Sequence, residues 1–175
     1  APFTVTETAI VARAGRIVIP RKQPDSRFDY GYIACPETSS LIRFVVGADV
    51  QTMEIDLPGK PREIAASNYG ALLFITTEDG ELLFVRTDPF QVIQNNTLYL
   101  GGTPGRMASD ADGESLFVLN NDPPQVHVID LYTRTELENQ ITFDVPLADL
   151  ALDPYGEYFY VTSQAFLMER DCLLS

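Results

Sequence analysis

Gly70, Gly113 and Gly156 lie 43 residues apart, and so do Ala65, Ala108 and Ala151. The segments Pro61 to Thr76, Pro104 to Leu119 and Leu147 to Thr162 align around them without gaps. A fixed period with the same residue types at the same offsets means that each repeat is one supersecondary unit. Such a unit cannot bury its apolar faces alone and relies on its neighbours to cover them.

Each unit reads as four strands. A short strand A, such as Ile64 to Ser67, leads to a turn ending in glycine, which suits a positive φ. Strand B is apolar on both faces: Leu72 to Thr76, Leu116 to Leu119 and Tyr158 to Val161. Strand C is Leu82 to Val85 and Val126 to Leu131, and strand D is Gln91 to Leu100 and Glu136 to Phe143. Continuous apolar character marks a strand covered on both sides, whereas a half-buried strand alternates. The gradient from strand B to the more mixed outer strands is what radial stacking of sheets produces. The expectation is therefore an all-β chain, a β-propeller of four-stranded antiparallel blades with about four blades present. A β-sandwich is the second choice, but it does not require a 43-residue period. The whole chain, 1–175, reads as one propeller-type domain. Its units are 17–57, 58–100, 101–143 and a partial 144–175, with an extra N-terminal strand in 1–16. The first unit is degenerate, with Gly15 to Pro20 as a candidate strand A, Tyr30 to Cys35 as strand B, Ser40 to Val46 as C and Gln51 to Leu57 as D. In the last unit the tail Gln164 to Ser175 shows no clear strand C or D.

Composition narrows the function classes. The chain is 45% hydrophobic and 21% charged, which is globular rather than disordered. Twelve Lys and Arg against 25 Asp and Glu leave a formal charge of −13. That field repels nucleic-acid phosphates and anionic membranes, so no nucleic-acid partner is expected. No apolar run approaches the ~20 residues that span a bilayer, so no transmembrane segment is expected. The chain begins at Ala1 rather than Met, which fits a processed chain or a fragment, and Phe3-Thr-Val-Thr6 suits the start of a secreted β-protein. Cys35 and Cys172 have no metal-ligand spacing; they form one disulfide if the chain ends meet, or stand as two separate thiols. Asn95-Asn96-Thr97 is a glycosylation sequon, with meaning only in a eukaryotic secreted protein.

The run Leu100-Gly-Gly-Thr-Pro-Gly-Arg-Met-Ala-Ser-Asp-Ala-Asp-Gly-Glu-Ser-Leu-Phe-Val-Leu-Asn120, followed by Val126-His-Val-Ile-Asp-Leu131, resembles the YVTN-type β-propeller repeats. Those repeats combine a Gly-x-x-Pro start, a Ser-Pro-Asp-Gly-like turn, a Tyr-Val-Thr-Asn-like strand and a Val-Ile-Asp strand. Phe159-Tyr-Val-Thr-Ser163 is the closest copy of the name-giving strand. The resemblance covers residues 58–163 well and 17–57 loosely. It implies relatives among surface-layer and secreted binding proteins and among lactonase-like and quinoprotein-like enzymes, and a fold does not choose between these. The chain departs from the family in blade number. About four units stand where such propellers usually close with about six to eight, so the chain is part of a longer propeller, or a compact or assembled one.

No catalytic residue emerges. His127, the single histidine, aligns with Leu83 on strand C and lacks a paired nucleophile, so it reads as structural or surface. Asp110-Ala-Asp112-Gly113-Glu114 superficially resembles a calcium loop, but it occupies the repeated A–B turn and lacks the EF-hand spacing. No cofactor or metal ion is expected. Loops between strands B and C should share one face with loops between D and A (Lys60, Thr103 and Asp144), and loops carry recognition. Glu78, Asp79, Asn121 and Asp122 in the B–C loops are the candidate binding residues, with Arg106 on strand A. Glu63, Arg106 and Asp149 occupy equivalent positions of alternating sign, so Arg106 should lie between the two carboxylates and help fix blade register. The first expectation is a non-catalytic binding or structural module, secreted, periplasmic or at a cell surface, with a protein partner or self-assembly. The second is a lactonase-like or quinoprotein-like enzyme with its site at the channel mouth.

Overall fold

A computed structural model describes residues 14–21, 29–46, 52–138, 140–155, 158–163 and 167–171. Four antiparallel sheets follow one another along the chain. The first contains β1 (Arg16–Val18), β2 (Tyr30–Cys35), β3 (Ser40–Val45) and β4 (Thr52–Asp56) in that order. The second contains β5 (Pro61–Ala66), β6 (Leu72–Thr77), β7 (Glu81–Thr87) and an outer strand in two pieces, β8 (Phe90–Val92) and β9 (Leu98–Tyr99). The third repeats this with β10 (Pro104–Ser109), β11 (Ser115–Asn121), β12 (Pro124–Asp130), β13 (Thr135–Glu136) and β14 (Ile141–Thr142). The fourth has β15 (Leu147–Leu152), β16 (Tyr158–Ser163) and β17 (Leu167–Asp171). Among the described residues there is no helix. The four sheets run from Arg16 to Asp56, Pro61 to Tyr99, Pro104 to Thr142 and Leu147 to Asp171; residues 1–13, Gly156 and Cys172 lie outside the described residues.

Two expectations are corrected. The tail of the last unit does carry a strand C: β17 pairs with β16 from Thr162 opposite Leu167 to Tyr158 opposite Asp171. The polar run Glu169-Arg-Asp171 hides it from a search for apolar patterning. The outer strand is not continuous either. In the second sheet Ile93 N–H still donates to Phe84 O (2.8 Å), and then the chain leaves the ladder through Asn95 at φ 59° and returns at Leu98. Asn tolerates that left-handed conformation, and a rim strand has no further strand to hold it straight. The same excursion separates β13 from β14.

Burial explains why strands B and C read as unbroken apolar runs. Leu73 and Ile75 of β6 face the first sheet, in a cluster with Tyr32, Ala34 and Leu41. Phe74, between them, faces the third sheet and packs with Leu116, Val118 and Ile129. Phe117 and Leu119 of β11 face the fourth sheet, with Leu150, Phe159 and Val161. Successive residues point to opposite faces, and here both faces are interior. Aromatic pairs tie these layers: Phe117 and Phe159 have ring centroids 5.5 Å apart between sheets, and Phe74 meets Phe84 edge-on at 5.9 Å within one sheet. Cys35 is buried and free, and burial, with Glu54 adding to it, pushes its thiol up from the ordinary value.

The A–B turns are closed by one side chain at the same repeat position. Ser67 Oγ accepts Leu72 N–H at 3.1 Å. Asp110 accepts the N–H groups of Gly113, Glu114 and Ser115 at 2.6, 2.8 and 2.9 Å. Asp153 accepts those of Tyr155 and Tyr158 at 3.1 and 2.9 Å. The Asp110 carboxylate is thus spent on its own turn. On the C–D side of the third sheet, the Thr133 N–H above all, with the Thr133 hydroxyl and the Tyr132 N–H, holds Asp130 below the usual carboxylate range.

His127 is 1% exposed, so it belongs to the core and not to the surface. It sits opposite Val118, as Leu83 sits opposite Ile75. Its Nδ1–H donates to Glu136 Oε1 at 2.5 Å, while Asn120 Nδ2 and Gln125 Nε2 donate to its Nε2 at 3.1 and 3.0 Å. The Asn120 amide is oriented independently, because its Oδ1 accepts Thr103 N–H at 2.8 Å and its Nδ2 also reaches Gly101 O at 3.2 Å. The network therefore fastens the loop entering the third sheet to strands β11 and β12.

Replacing His127 by Leu restores the residue of the second sheet but takes the acceptor from the buried Gln125 amide and removes one hydrogen bond each from Asn120 and Glu136, which keep Gly101 O and Gln140 as partners. The expected loss is about 1–3 kcal/mol, read from urea unfolding. Two glycines separate strain from space. Gly102, at φ 53°, has no room for a Cβ, which would overlap the Asp122 carbonyl oxygen and lie 2.8 Å from Asn120 Oδ1. Gly113, at φ 77°, has nothing within 4 Å of a Cβ. Gly113→Ala should cost only the left-handed penalty of about 1–2 kcal/mol, and Gly102→Ala more than about 3 kcal/mol, by the same measurement.

Candidate functional site

The A strands are the ones that neighbour each other from sheet to sheet, β1 beside β5, β5 beside β10 and β10 beside β15. They are the innermost strands. Three of them begin with a register irregularity, between Pro61 and Glu63, Pro104 and Met107, and Leu147 and Asp149. A bulge turns a side chain out of the pleat, and these turn the charged residues toward one another.

The result is a ladder of alternating charge across four sheets. Arg16 Nη2 lies 2.8 Å from Glu63 Oε1. Arg106 stands between Glu63 Oε2 at 4.0 Å and Asp149 Oδ1 at 3.5 Å. The expected order Glu63, Arg106, Asp149 is present, and Arg16 extends it by one sheet. Arg16 lies opposite Ala34, as Glu63 lies opposite Thr76 and Asp149 opposite Thr162, so these three positions correspond by register, and Arg106 holds the same repeat offset from Glu63 and Asp149. The rungs are unequal. The Glu63 side chain is 11% exposed and closely held by Arg16, whereas those of Arg106 and Asp149 are 48% and 62% exposed and meet loosely.

A depression of about 330 Å³ opens beside the ladder, lined by Arg16, Arg62, Glu63, Thr103, Arg106 and Asn121 among others. Its far wall is a clamp between sheets. Asn121 Nδ2 donates to Leu147 O and Asn121 Oδ1 accepts Leu147 N–H, both at 2.6 Å. The first and second seams need no such clamp at this point, because Pro61 and Pro104 start their A strands and have no N–H. Leu147 is 4% exposed, so its N–H would otherwise be buried without a partner.

Of the five candidate binding residues, the structure brings Arg106 and Asn121 to this depression. Asn121 is committed to the clamp. Glu78 and Asp79 are exposed at the β6–β7 hairpin, and Asp122 is exposed at the β11–β12 hairpin, apart from the groove lining. The B–C and D–A loops do share a face: Glu78 N–H donates to Lys60 O at 2.9 Å and Leu100 N–H to Gly80 O at 2.8 Å. Arg16 and Arg62 are the groove residues that sequence reasoning missed. Aligning Gly15-Arg16-Ile17 with Arg62-Glu63-Ile64 would have found Arg16. Among the described residues no three His, Cys, Asp or Glu side chains gather as a metal ion would require.

No protein-family model matches the chain, and no curated protein sequence matches it. Solved structures do. Hydrazine synthase of Kuenenia stuttgartiensis superposes with a TM-score of 0.67 at 19% identity, over 77% of this chain and 40% of that one. The dihydro-heme d1 dehydrogenase NirN, in complex with DHE, gives 0.68 at 15% identity, over 82% and 32%. A functionally unknown protein from Desulfotomaculum acetoxidans gives 0.67 at 11% identity, over 80% and 49%. The chain spans less than half the length of each of these structures. At such identities the likeness carries the fold alone, and that fold is the β-propeller.

Proposed function

We propose that this chain is a non-catalytic binding module of a secreted, periplasmic or cell-surface protein, of the YVTN kind, that recognises a ligand or a protein partner at the groove beside the A strands. The observation that supports it best is Arg106. Its guanidinium is half exposed in a depression and held only at 3.5 and 4.0 Å, so its hydrogen-bonding capacity is directed at the groove as much as at its neighbours. The lining supports binding over catalysis. It contains Arg, Glu, Thr and Asn but no Ser, Cys or His, and the single histidine has both ring nitrogens engaged in the core. Among the described residues no Ser or Cys nucleophile stands beside a base there. A protein partner or self-assembly is the reading for the ends of the blade stack, where further blades would continue the packing.

The second reading is a propeller enzyme. What favours it is that two of the solved structures similar in fold carry enzyme names, a synthase and a dehydrogenase.

Two measurements test the proposal. The protein should hydrolyse γ- and δ-lactones, and oxidise alcohols in a dye-coupled assay, no faster than buffer. A saturable rate that Glu63→Gln abolishes would establish the enzyme reading instead. Arg106→Met should change unfolding free energy by no more than about 1 kcal/mol, the worth of an exposed ion pair. A loss above about 2 kcal/mol would make the ladder a structural clamp rather than a recognition surface.

A further inference from the structure

Resting on that reading of the groove, we propose that its ligand is an oxyanion, a carboxylate or a phosphoryl group, received by Arg106 and Arg62. The argument starts from charge. The chain carries −13 overall, yet three guanidinium groups, Arg16, Arg62 and Arg106, line one depression against two carboxylates of the ladder, Glu63 and Asp149. Distant acids count for little there, since the Debye length is about 8 Å at physiological salt.

The three arginines are not equally committed. Arg16 is closely paired with Glu63. Arg106 is shared between two carboxylates at 3.5 and 4.0 Å, both longer than the ~2.7–2.9 Å of a charge-assisted hydrogen bond. Arg62 is exposed and has no carboxylate within 4.0 Å among the described residues. A guanidinium offers five donors in a planar fork that fits a carboxylate or phosphate in two-pronged fashion. Asp149, 62% exposed, can yield its place beside Arg106 to an incoming anion, while Glu63 cannot, being buried and held by Arg16. Glu63 therefore serves as the fixed post that orients Arg106, and Asp149 as the displaceable occupant.

Local backbone supports the same point. The irregularity between Pro104 and Met107 leaves Gly105 and Arg106 without register partners on β11, and Gly105 lines the groove. A Cβ on Gly105 would meet only Leu119 O, at 3.9 Å, so the floor is open at that residue. Thr103 lines the same groove. A space of about 330 Å³ suits a small anion or the charged end of a larger ligand.

The test is a titration of the isotope-labelled protein with sodium acetate and, separately, with inorganic phosphate, at constant ionic strength with chloride as the reference. The expected result is saturable shifts of the Gly105 amide and the Arg106 Nε–H signals. Affinity should fall at least tenfold in Arg106→Gln and severalfold in Arg62→Gln, with thermal melting of the latter, a surface change, unaltered. The anion that saturates at lower concentration identifies a carboxylate or a phosphoryl ligand. Shifts no larger than those with chloride, or an affinity unchanged in both variants, would overturn the site. Anion binding accompanied by lactone turnover would leave the oxyanion site standing and remove the non-catalytic reading. Neither binding nor turnover would remove the site and leave that reading intact.

Discussion

Everything in this fold depends on strands that are interior on both sides. A Phe or Leu fully removed from water contributes about 1.5–3 kcal/mol. Leu73 and Ile75 gain that only if the first sheet is in place, and Phe74 only if the third is. No single unit can therefore be stable alone, and the chain solves the problem by repeating the unit and stacking copies. The A–B turns can vary in sequence, Ser67 in one and Asp110 or Asp153 in the others, because any short acceptor at that position satisfies the turn. The packed strands have less freedom.

Where the sheets converge, apolar layers give way to charge. Alternating signs at Arg16, Glu63, Arg106 and Asp149 let four strands approach without like charges facing each other. The ladder grades from a tight, partly buried pair at one end to a loose, solvated one at the other. That gradient makes one stretch of it scaffold and the other stretch available. The third sheet adds its own polar core, in which Glu136, Gln140, His127, Gln125 and Asn120 hand hydrogen bonds from the rim to the loop at Gly101. The polar replacement of Leu83 is accommodated because two of its hydrogen-bonding partners are themselves oriented, Asn120 by Thr103 N–H and Glu136 by Gln140.

Much of this was legible in the sequence because the period is strict where burial is strict. Gly70 and Gly113 adopt the positive φ that their repeat position implied, and β6, β11 and β16 fall on the apolar runs. Arg106 between two carboxylates followed from offset alone. What escaped was whatever depends on few contacts or on a partner far along the chain. The outer strands are held by one neighbour, so a left-handed Asn95 breaks the pairing without a strong sequence signal. Strand β17 is polar in its second half and is defined by its backbone ladder. Arg16 sits in the unit whose spacing has drifted. Asn121 looked like a loop residue facing solvent, and its role is visible only once Leu147, 26 residues on, is brought beside it.

That last contact bears on how such a chain can be rearranged by duplication. Units of equal length invite copying, deletion and shuffling, and the apolar faces alone would accept many orders. The seams do not. Asn121 meets an N–H because the next unit begins with Leu147; a unit beginning with Pro61 or Pro104 would present a ring nitrogen that cannot donate, leaving the Asn121 carbonyl unmatched. Conversely, Leu147 placed after the second unit would meet Glu78, an acceptor of different length and charge. The order of the units is thus written at their edges, and a repeat that looks interchangeable along its length carries an address.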